Sequence, residues 1–197
     1  MRLRPSVVPP QIDNLDSYEF LVNFIEPLID AGCRKFIIHA RIAVLDGLSP
    51  KENRMVPALN YNRVYRLKHD FPDLEIVING GLTDITQVEH VLQYLDGAMI
   101  GRQAYYQPYF LAELEQYFNP QSALPDRRDI VEQMLPYIDE VIQYGEPIGR
   151  VTRHMLGLYA GQPGARKWRR SISENAHRKG AGVEILIDAL NAMSIAA

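Results

Sequence analysis

The chain has 197 residues with 21 Lys and Arg against 24 Asp and Glu, a net charge of −3, which excludes a globally basic nucleic-acid coat protein. A single cysteine, Cys33, excludes an intrachain disulfide framework and points to a reducing compartment. No apolar run approaches the roughly 20 residues of a membrane span, and the opening MRLRPSVVPP lacks the apolar stretch of a secretory signal, so a cytoplasmic location without membrane contact is expected.

In chain order, Val7 and Val8 could end a strand, but Pro9 and Pro10 stop it. A helix is expected from Asp16, with Glu19 in a capping-box position and Phe20, Phe24, Ile25 and Leu28 as its apolar stripe. Pro27 should kink it and Gly32 should close it. KFIIHAR (residues 35–41) then reads as a buried strand. A long polar loop over residues 42–57 follows, and loops of this length at an active face commonly carry function. Tyr61, Val64, Leu67 and Lys68 predict a helix that Pro72 ends. LEIVINGG (residues 74–81) is the second buried strand. Asp84 should cap a helix with Val88, Val91, Leu92 and Leu95 turned inward, before a third strand in GAMIGR (residues 97–102).

This alternation of helix and apolar strand implies parallel strands with crossover helices. A break at residues 119–125 ends the α/β part. Beyond it every strong pattern is helical: Ile130, Met134, Ile138, Val141 and Ile142; then Val151, Met155, Leu156 and Tyr159; then residues 183–193. The fold class is therefore α/β, about three parallel strands with helices followed by an all-helical domain. A complete (β/α)₈ barrel takes roughly 250 residues, more than this chain holds.

In parallel folds the carboxyl ends of the strands form the active face, and the three strands end in His39, in Asn79-Gly80-Gly81 and in Gly101-Arg102. Glycines there let backbone N–H groups approach an anion, and Arg102 adds a charge-assisted contact. Either motif alone would suit a plain tight turn. On consecutive strands with Arg102 attached they favour a phosphate site, and His39 on the same face favours a cofactor contact. No metal site is expected, since the cysteine and scattered histidines lack ligand spacing. The helical part is strongly cationic: residues 150–180 hold eight Arg or Lys against one acid, Glu174. Arg166, Arg169 and Arg170 fall on one helix face, which fits either an ordinary solvated surface or a phosphate-binding one.

DSYEFL, FIIHAR, GLSPKENR, INGG, the GAMIGR strand end, TRHMLGL and PGARKWRR followed by SENAH together resemble the tRNA-dihydrouridine synthases, most closely the A-type. The resemblance runs from about Ile12 to the C-terminus. It implies an FMN-binding TIM barrel, here its C-terminal part over residues 1–118, and a helical tRNA-binding domain over residues 120–197. It also implies reduction of uridine to dihydrouridine in the tRNA D-loop, at positions 20 and 20a, with NADPH as hydride donor. By the same resemblance His39 meets the flavin ring, and Asn79, Gly80, Gly81, Gly101 and Arg102 hold the phosphate and ribityl end. Lys51, Arg54, Arg166 and Arg169 contact tRNA, the basic loop and basic helix facing one substrate.

The departures are as specific. The family's first four strands are expected to be absent, and with them its Pro-Met flavin segment, a flavin-contacting glutamine and the catalytic cysteine; Cys33 does not match that cysteine. A lysine near the fifth strand is also missing, and MRLRPSVVPPQ matches nothing in the family. The expectation is a truncated chain with no catalytic residue of its own, open to self-association or to a complementing N-terminal fragment. A non-catalytic tRNA- or RNA-binding remnant is the alternative reading. A small-molecule flavin barrel is disfavoured by PGARKWRR.

Overall fold

The protein is described from a computed structural model, which covers residues 17–44 and 47–194. The expected Val7–Val8 strand end and the Asp16 cap lie outside the described residues. Contacts divide the chain into two compact units, residues 1–99 and 100–197. The division falls ahead of the compositional break at residues 119–125. Among the described residues, no helix is long and apolar enough to cross a membrane.

The first unit is built on a parallel sheet of β1 (Lys35–His39), β2 (Glu75–Asn79) and β3 (Gly97–Met99), in the order β1-β2-β3. Each strand is reached from the last through a helix: α3 (Tyr61–Asp70) lies between β1 and β2, and α4 (Ile85–Leu92) between β2 and β3. Successive parallel neighbours joined by helices are the repeating unit of a (β/α)₈ barrel, and three such strands make a portion of one.

Local chemistry accounts for the helix ends. Ser17 caps α1 (Tyr18–Asp30), its side chain accepting from the Phe20 amide at 2.9 Å, so the cap stands one residue beyond the expected Asp16. At the other end Gly32 takes φ 98°, the Gly32 amide donates to the Ile29 carbonyl and the Cys33 amide to that of Leu28. This double bond pattern requires a left-handed residue, which glycine adopts without a Cβ penalty. Asp84 caps α4 as expected, accepting from the Gln87 amide.

The sheet is buried on one side only, contrary to the reading of three fully buried strands. Phe36, Ile76 and Ile78 are buried together with Val64, Leu67, Val88 and Val91 of the flanking helices, whereas Ile37 is 50% and Met99 39% exposed. Side chains alternate across a strand, so one face shares a core with the helices while the other is left open among the described residues. Leu92, expected inward, is also exposed. On α1 only Ile25 is buried; Phe24 is 62% exposed. An apolar stripe recognises a helix, but whether it is covered depends on a neighbour.

Asp96, just before β3, ties the amino-terminal edge of this sheet together. Its carboxylate accepts from the Ile76 amide at 2.8 Å and meets the Lys68 ammonium at 2.8 Å, while Lys68 also donates to the Pro72 and Leu74 carbonyls. Burial pushes the Asp96 carboxyl up, but the Ile76 amide and then Lys68 outweigh it and hold it below the usual carboxylate range. On the outer side, the Tyr18 hydroxyl donates to Asp70 at 2.6 Å and the Arg66 guanidinium covers the Tyr18 ring, joining α1 to α3. Burial, then the hydrogen bond to Asp70, push the Tyr18 phenol up to about 12.

The second unit is helical: α5 (Arg102–Tyr106), α6 (Phe110–Phe118), α7 (Arg127–Gln143), α8 (Gly149–Thr152), α9 (Ala165–Asn175) and α10 (Glu184–Ser194). Its core gathers around Trp168, fully buried, whose indole N–H donates to the Met155 carbonyl at 3.1 Å and whose ring packs on Tyr159. Arg127 lies over the Tyr109 ring and donates to the Leu158 carbonyl. The pattern at residues 151–159 predicts a full helix. The chain instead gives one turn of α8 and then a series of tight turns, in which Gly157 sits against the Tyr106 carbonyl where any Cβ would clash.

Two outcomes test this account. Asp96→Ala should destabilise the first unit by about 1 kcal/mol, a charge-assisted contact discounted for partial exposure. Because the native carboxyl titrates below its unfolded value, that increment is complete above about pH 4 and disappears as pH falls through the lowered native pKa. Urea melts of both proteins at pH 7 and pH 3 should therefore converge at the lower pH. Trp168→Ala should remove about 3–5 kcal/mol from the second unit, read from its melting transition.

Candidate functional site

The register aligns the strand ends. His39 pairs with Asn79, and Asn79 pairs with Met99, so the three residues form one row at the carboxyl edge of the sheet. They occupy the same face as Ile37 and Val77, the open one. The ladder continues beyond β1, with the Ala40 amide donating to the Asn79 carbonyl at 2.8 Å and the Asn60 amide to the Ala40 carbonyl at 2.6 Å.

His39 is held by the backbone. The Arg41 amide donates to its Nδ1 at 3.1 Å, which places the proton of the neutral ring on Nε2. The Arg41 side chain reaches back into the long loop, donating to the Met55 carbonyl at 3.0 Å and to that of Pro57. Strand end, histidine and loop are thus fixed by one residue.

The loop is more ordered than the sequence implies. It contains a capped turn, α2 (Pro50–Asn53), in which Ser49 and Glu52 form a reciprocal capping box with Pro50 in the first helical turn. Hydrogen bonds to Ser49, side chain first and then backbone, hold the Glu52 carboxyl below the usual carboxylate range. Asn53 closes the loop by pairing with both the amide and the carbonyl of Val44 at 2.7 Å. Lys51 and Arg54 lie on the exposed side of this turn. Between loop and sheet is a pocket of about 370 Å³ lined by Ala40, Ile42, Leu48, Val56, Leu59 and Arg63.

Gly80 and Gly81 follow β2 at φ 128° and 73°, conformations that side chains disfavour. A Cβ on Gly80 would press on Leu59 and His39, and one on Gly81 would strike Leu59. Gly80 is buried, and its carbonyl accepts from the Tyr61 hydroxyl at 2.6 Å. Burial raises the Tyr61 pKa against the opposing charge of Arg41, so the hydroxyl remains a donor. A left-handed turn without Cβ atoms at the carboxyl end of a strand lets the backbone come close to an anion.

In the second unit, Gly101 caps α5 at φ −101° with open space where a Cβ would stand, and Arg102 is the exposed first helical residue. In α9 the alternation is clean: Trp168 and Ile172 are buried, and Arg166, Lys167, Arg169 and Arg170 are exposed. Arg170 is engaged with Glu174 at 2.8 Å, whereas Arg166 and Arg169 make no ion pair among the described residues. Cys33 precedes β1 and so belongs to the amino-terminal edge of the sheet, away from the row of His39 and Asn79. No cluster of three or more His, Cys, Asp or Glu suited to a metal occurs among the described residues.

Sequence reasoning singled out His39, Asn79 and the glycines but missed Arg41, Asn53 and Tyr61, which fix them. The only signal for Arg41 was its position two residues after the strand-ending histidine; Tyr61 was read simply as a helix residue.

Gly81→Ala should destabilise the first unit by at least about 1 kcal/mol, through left-handed strain and the Leu59 clash. Gly101→Ala should leave thermal melts unchanged. Gly101 is therefore the glycine whose substitution reads ligand binding without a folding penalty.

Comparison with known proteins agrees with this geometry. The family description Dihydrouridine synthase matches residues 5–194, so the likeness begins ahead of Ile12 and includes part of the segment read as unrelated. A tRNA-dihydrouridine(20/20a) synthase of Shewanella oneidensis is 53% identical over 176 residues, covering 89% of this chain and 52% of the relative. The Vibrio vulnificus protein of the same name is 54% identical over 181 residues, 91% of this chain and 56% of the relative. That of Synechocystis is 47% identical over 182 residues, 92% and 54% respectively. The chain spans about half the length of the curated relatives it matches. With a parallel βα portion of a TIM barrel and this extent of match, the chain belongs to the dihydrouridine synthase family.

Proposed function

We propose that this chain provides the flavin-phosphate and tRNA-binding portion of an FMN-dependent tRNA-dihydrouridine synthase that uses NADPH. The observation that carries this is the level row of His39 and Asn79 beside Gly80 and Gly81, whose left-handed turn has no room for a Cβ. The relatives' name, tRNA-dihydrouridine(20/20a) synthase, suggests the substrate, uridine at tRNA positions 20 and 20a. In this reading Asn79, Gly80, Gly81, Gly101 and Arg102 hold the phosphate and ribityl end of FMN. His39 donates from Nε2 toward the ring system, its orientation set by the Arg41 amide. Bound FMN supplies the hydride that saturates the uracil ring. What this chain contributes is the grip on the anion, the orientation of the histidine donor and a cationic surface for RNA.

Lys51 and Arg54 on the α2 turn and Arg166 and Arg169 on α9 are the proposed tRNA contacts, and residues 120–197 the proposed tRNA-binding domain. All four side chains are solvent-exposed, as phosphate-binding cations must be. The second reading, a tRNA-binding chain without catalysis, is favoured by Cys33. The sole thiol of the chain belongs to the wrong edge of the sheet to protonate a substrate at the strand ends, and general acid catalysis requires hydrogen-bond reach.

Flavin fluorescence titration separates these roles. Arg102→Ala should weaken FMN binding by about 1.5–3 kcal/mol, the value of a hydrogen bond to a charged group. The Arg166→Ala, Arg169→Ala pair should leave FMN affinity unchanged, weaken tRNA binding and flatten its salt dependence by roughly two phosphate contacts. Incubated alone with FMN, NADPH and unmodified tRNA, the 197-residue chain should bind the tRNA yet form no dihydrouridine. Turnover in that assay would overturn the non-catalytic reading, and FMN affinity indifferent to Arg102→Ala would overturn the phosphate assignment.

A further inference from the structure

The helical unit has a pocket of about 780 Å³ between α7, α8 and the turns after it, a size suited to a small ligand. Its floor is apolar, formed by Ile130, Met134, Val151, Met155 and Leu158, with the half-exposed Tyr137 ring at its side. Its charged groups are Arg150, Arg153 and Glu146. Arg150 and Glu146 neutralise each other at 3.0 Å, leaving the charge of Arg153 uncompensated.

Arg153 and His154 line the pocket, and a row of flat groups continues from them beyond its lining. The Arg153 Nε–H donates to His154 Nε2 at 3.0 Å, which places the ring proton of a neutral His154 on Nδ1 and leaves a second donor there. The His154 ring meets Tyr105 edge-on at 5.5 Å, and Tyr105 meets Tyr106 in the same manner. Tyr105 is 52% and Tyr106 64% exposed. A row of exposed aromatic rings ending in a guanidinium is the kind of surface on which unpaired bases stack while a phosphate meets the cation. An apolar peptide would fill the floor but leave Arg153 and the His154 donor unmatched.

We infer that this pocket is a nucleotide subsite that takes one splayed-out base of single-stranded RNA on Tyr137 and the apolar floor, with its phosphate on Arg153. It deepens the tRNA reading above, and rests on it, by adding a base-stacking contact separate from the phosphate contacts of α9.

The test uses the whole 197-residue chain with two probes, an unmodified tRNA transcript and a uridine hexanucleotide. Tyr137→Ala, Arg153→Ala and Arg153→Lys alter exposed side chains, and variants whose thermal melts match wild type are compared. Each should lower hexanucleotide affinity, Tyr137→Ala on the order of 5- to 100-fold. Arg153→Lys should not restore it, since lysine keeps the charge but not the plane. Short-wave ultraviolet crosslinking of the hexanucleotide should attach a nucleotide to the peptide carrying Tyr137 or Tyr105, and should still do so in the Arg166→Ala, Arg169→Ala protein. Wild-type hexanucleotide affinity in all three pocket variants, with tRNA binding still weakened by the α9 pair, would overturn the pocket and leave the tRNA reading intact. Pocket variants that change only the sedimentation of the chain would show a protein-binding surface and overturn it equally. A wild-type chain that binds neither probe would overturn the tRNA reading and the pocket together.

Discussion

The parallel pairing of β2 with both neighbours is the constraint on which the candidate site in the first unit depends. In a parallel ladder the strands run level, so residues equally placed in three separate segments arrive at one edge. His39, Asn79 and Met99 are brought into one row by that register alone. The turns that follow then inherit the position. Tyr61 holds the Gly80 carbonyl, and Arg41 holds His39 and the loop. The amino-terminal edge is tied instead by Asp96 and Lys68, so these stabilising contacts and the candidate site occupy opposite ends of the same strands. This is the usual separation in βα barrels.

The open side of the sheet follows from the same geometry. Alternation sends Phe36, Ile76 and Ile78 toward the helices and Ile37, Val77 and Met99 the other way. Helices can cover the outer face of a barrel strand, but the inner face is filled only by side chains from the other strands of the barrel. Among the described residues, the row that presents His39 and Asn79 is continuous with the half-exposed Ile37.

The second unit depends on a different principle. Trp168 stands within the most cationic stretch of the sequence, and its burial decides which side of α9 faces water. Once the indole is fixed on the Met155 carbonyl and Tyr159, Arg166 and Arg169 must point outward. The aromatic core therefore orients the charge. The same packing places Met155 at the floor of the neighbouring pocket, linking the two surfaces through one residue.

The sequence by itself determined the elements and the chemistry at their ends. KFIIH and EIVIN are strands because short apolar β-branched runs bounded by turn residues have few other solutions, and GAM is a short apolar run between turn residues. Asp84 and Gly32 act where local capping rules put them, since caps are settled within a few residues. The family, too, was legible in GLSPKENR and PGARKWRR. Tertiary structure decided everything that needs a distant neighbour. It left Phe24 and Leu28 in solvent although their spacing is that of a buried stripe, because no partner among the described residues meets them. It broke the helical pattern at residues 151–159, where Gly157 lies against Tyr106 some fifty positions away. It also recruited Arg41 and Tyr61 to hold the site. Their roles arise from contacts 14 to 19 residues distant, which local periodicity cannot register.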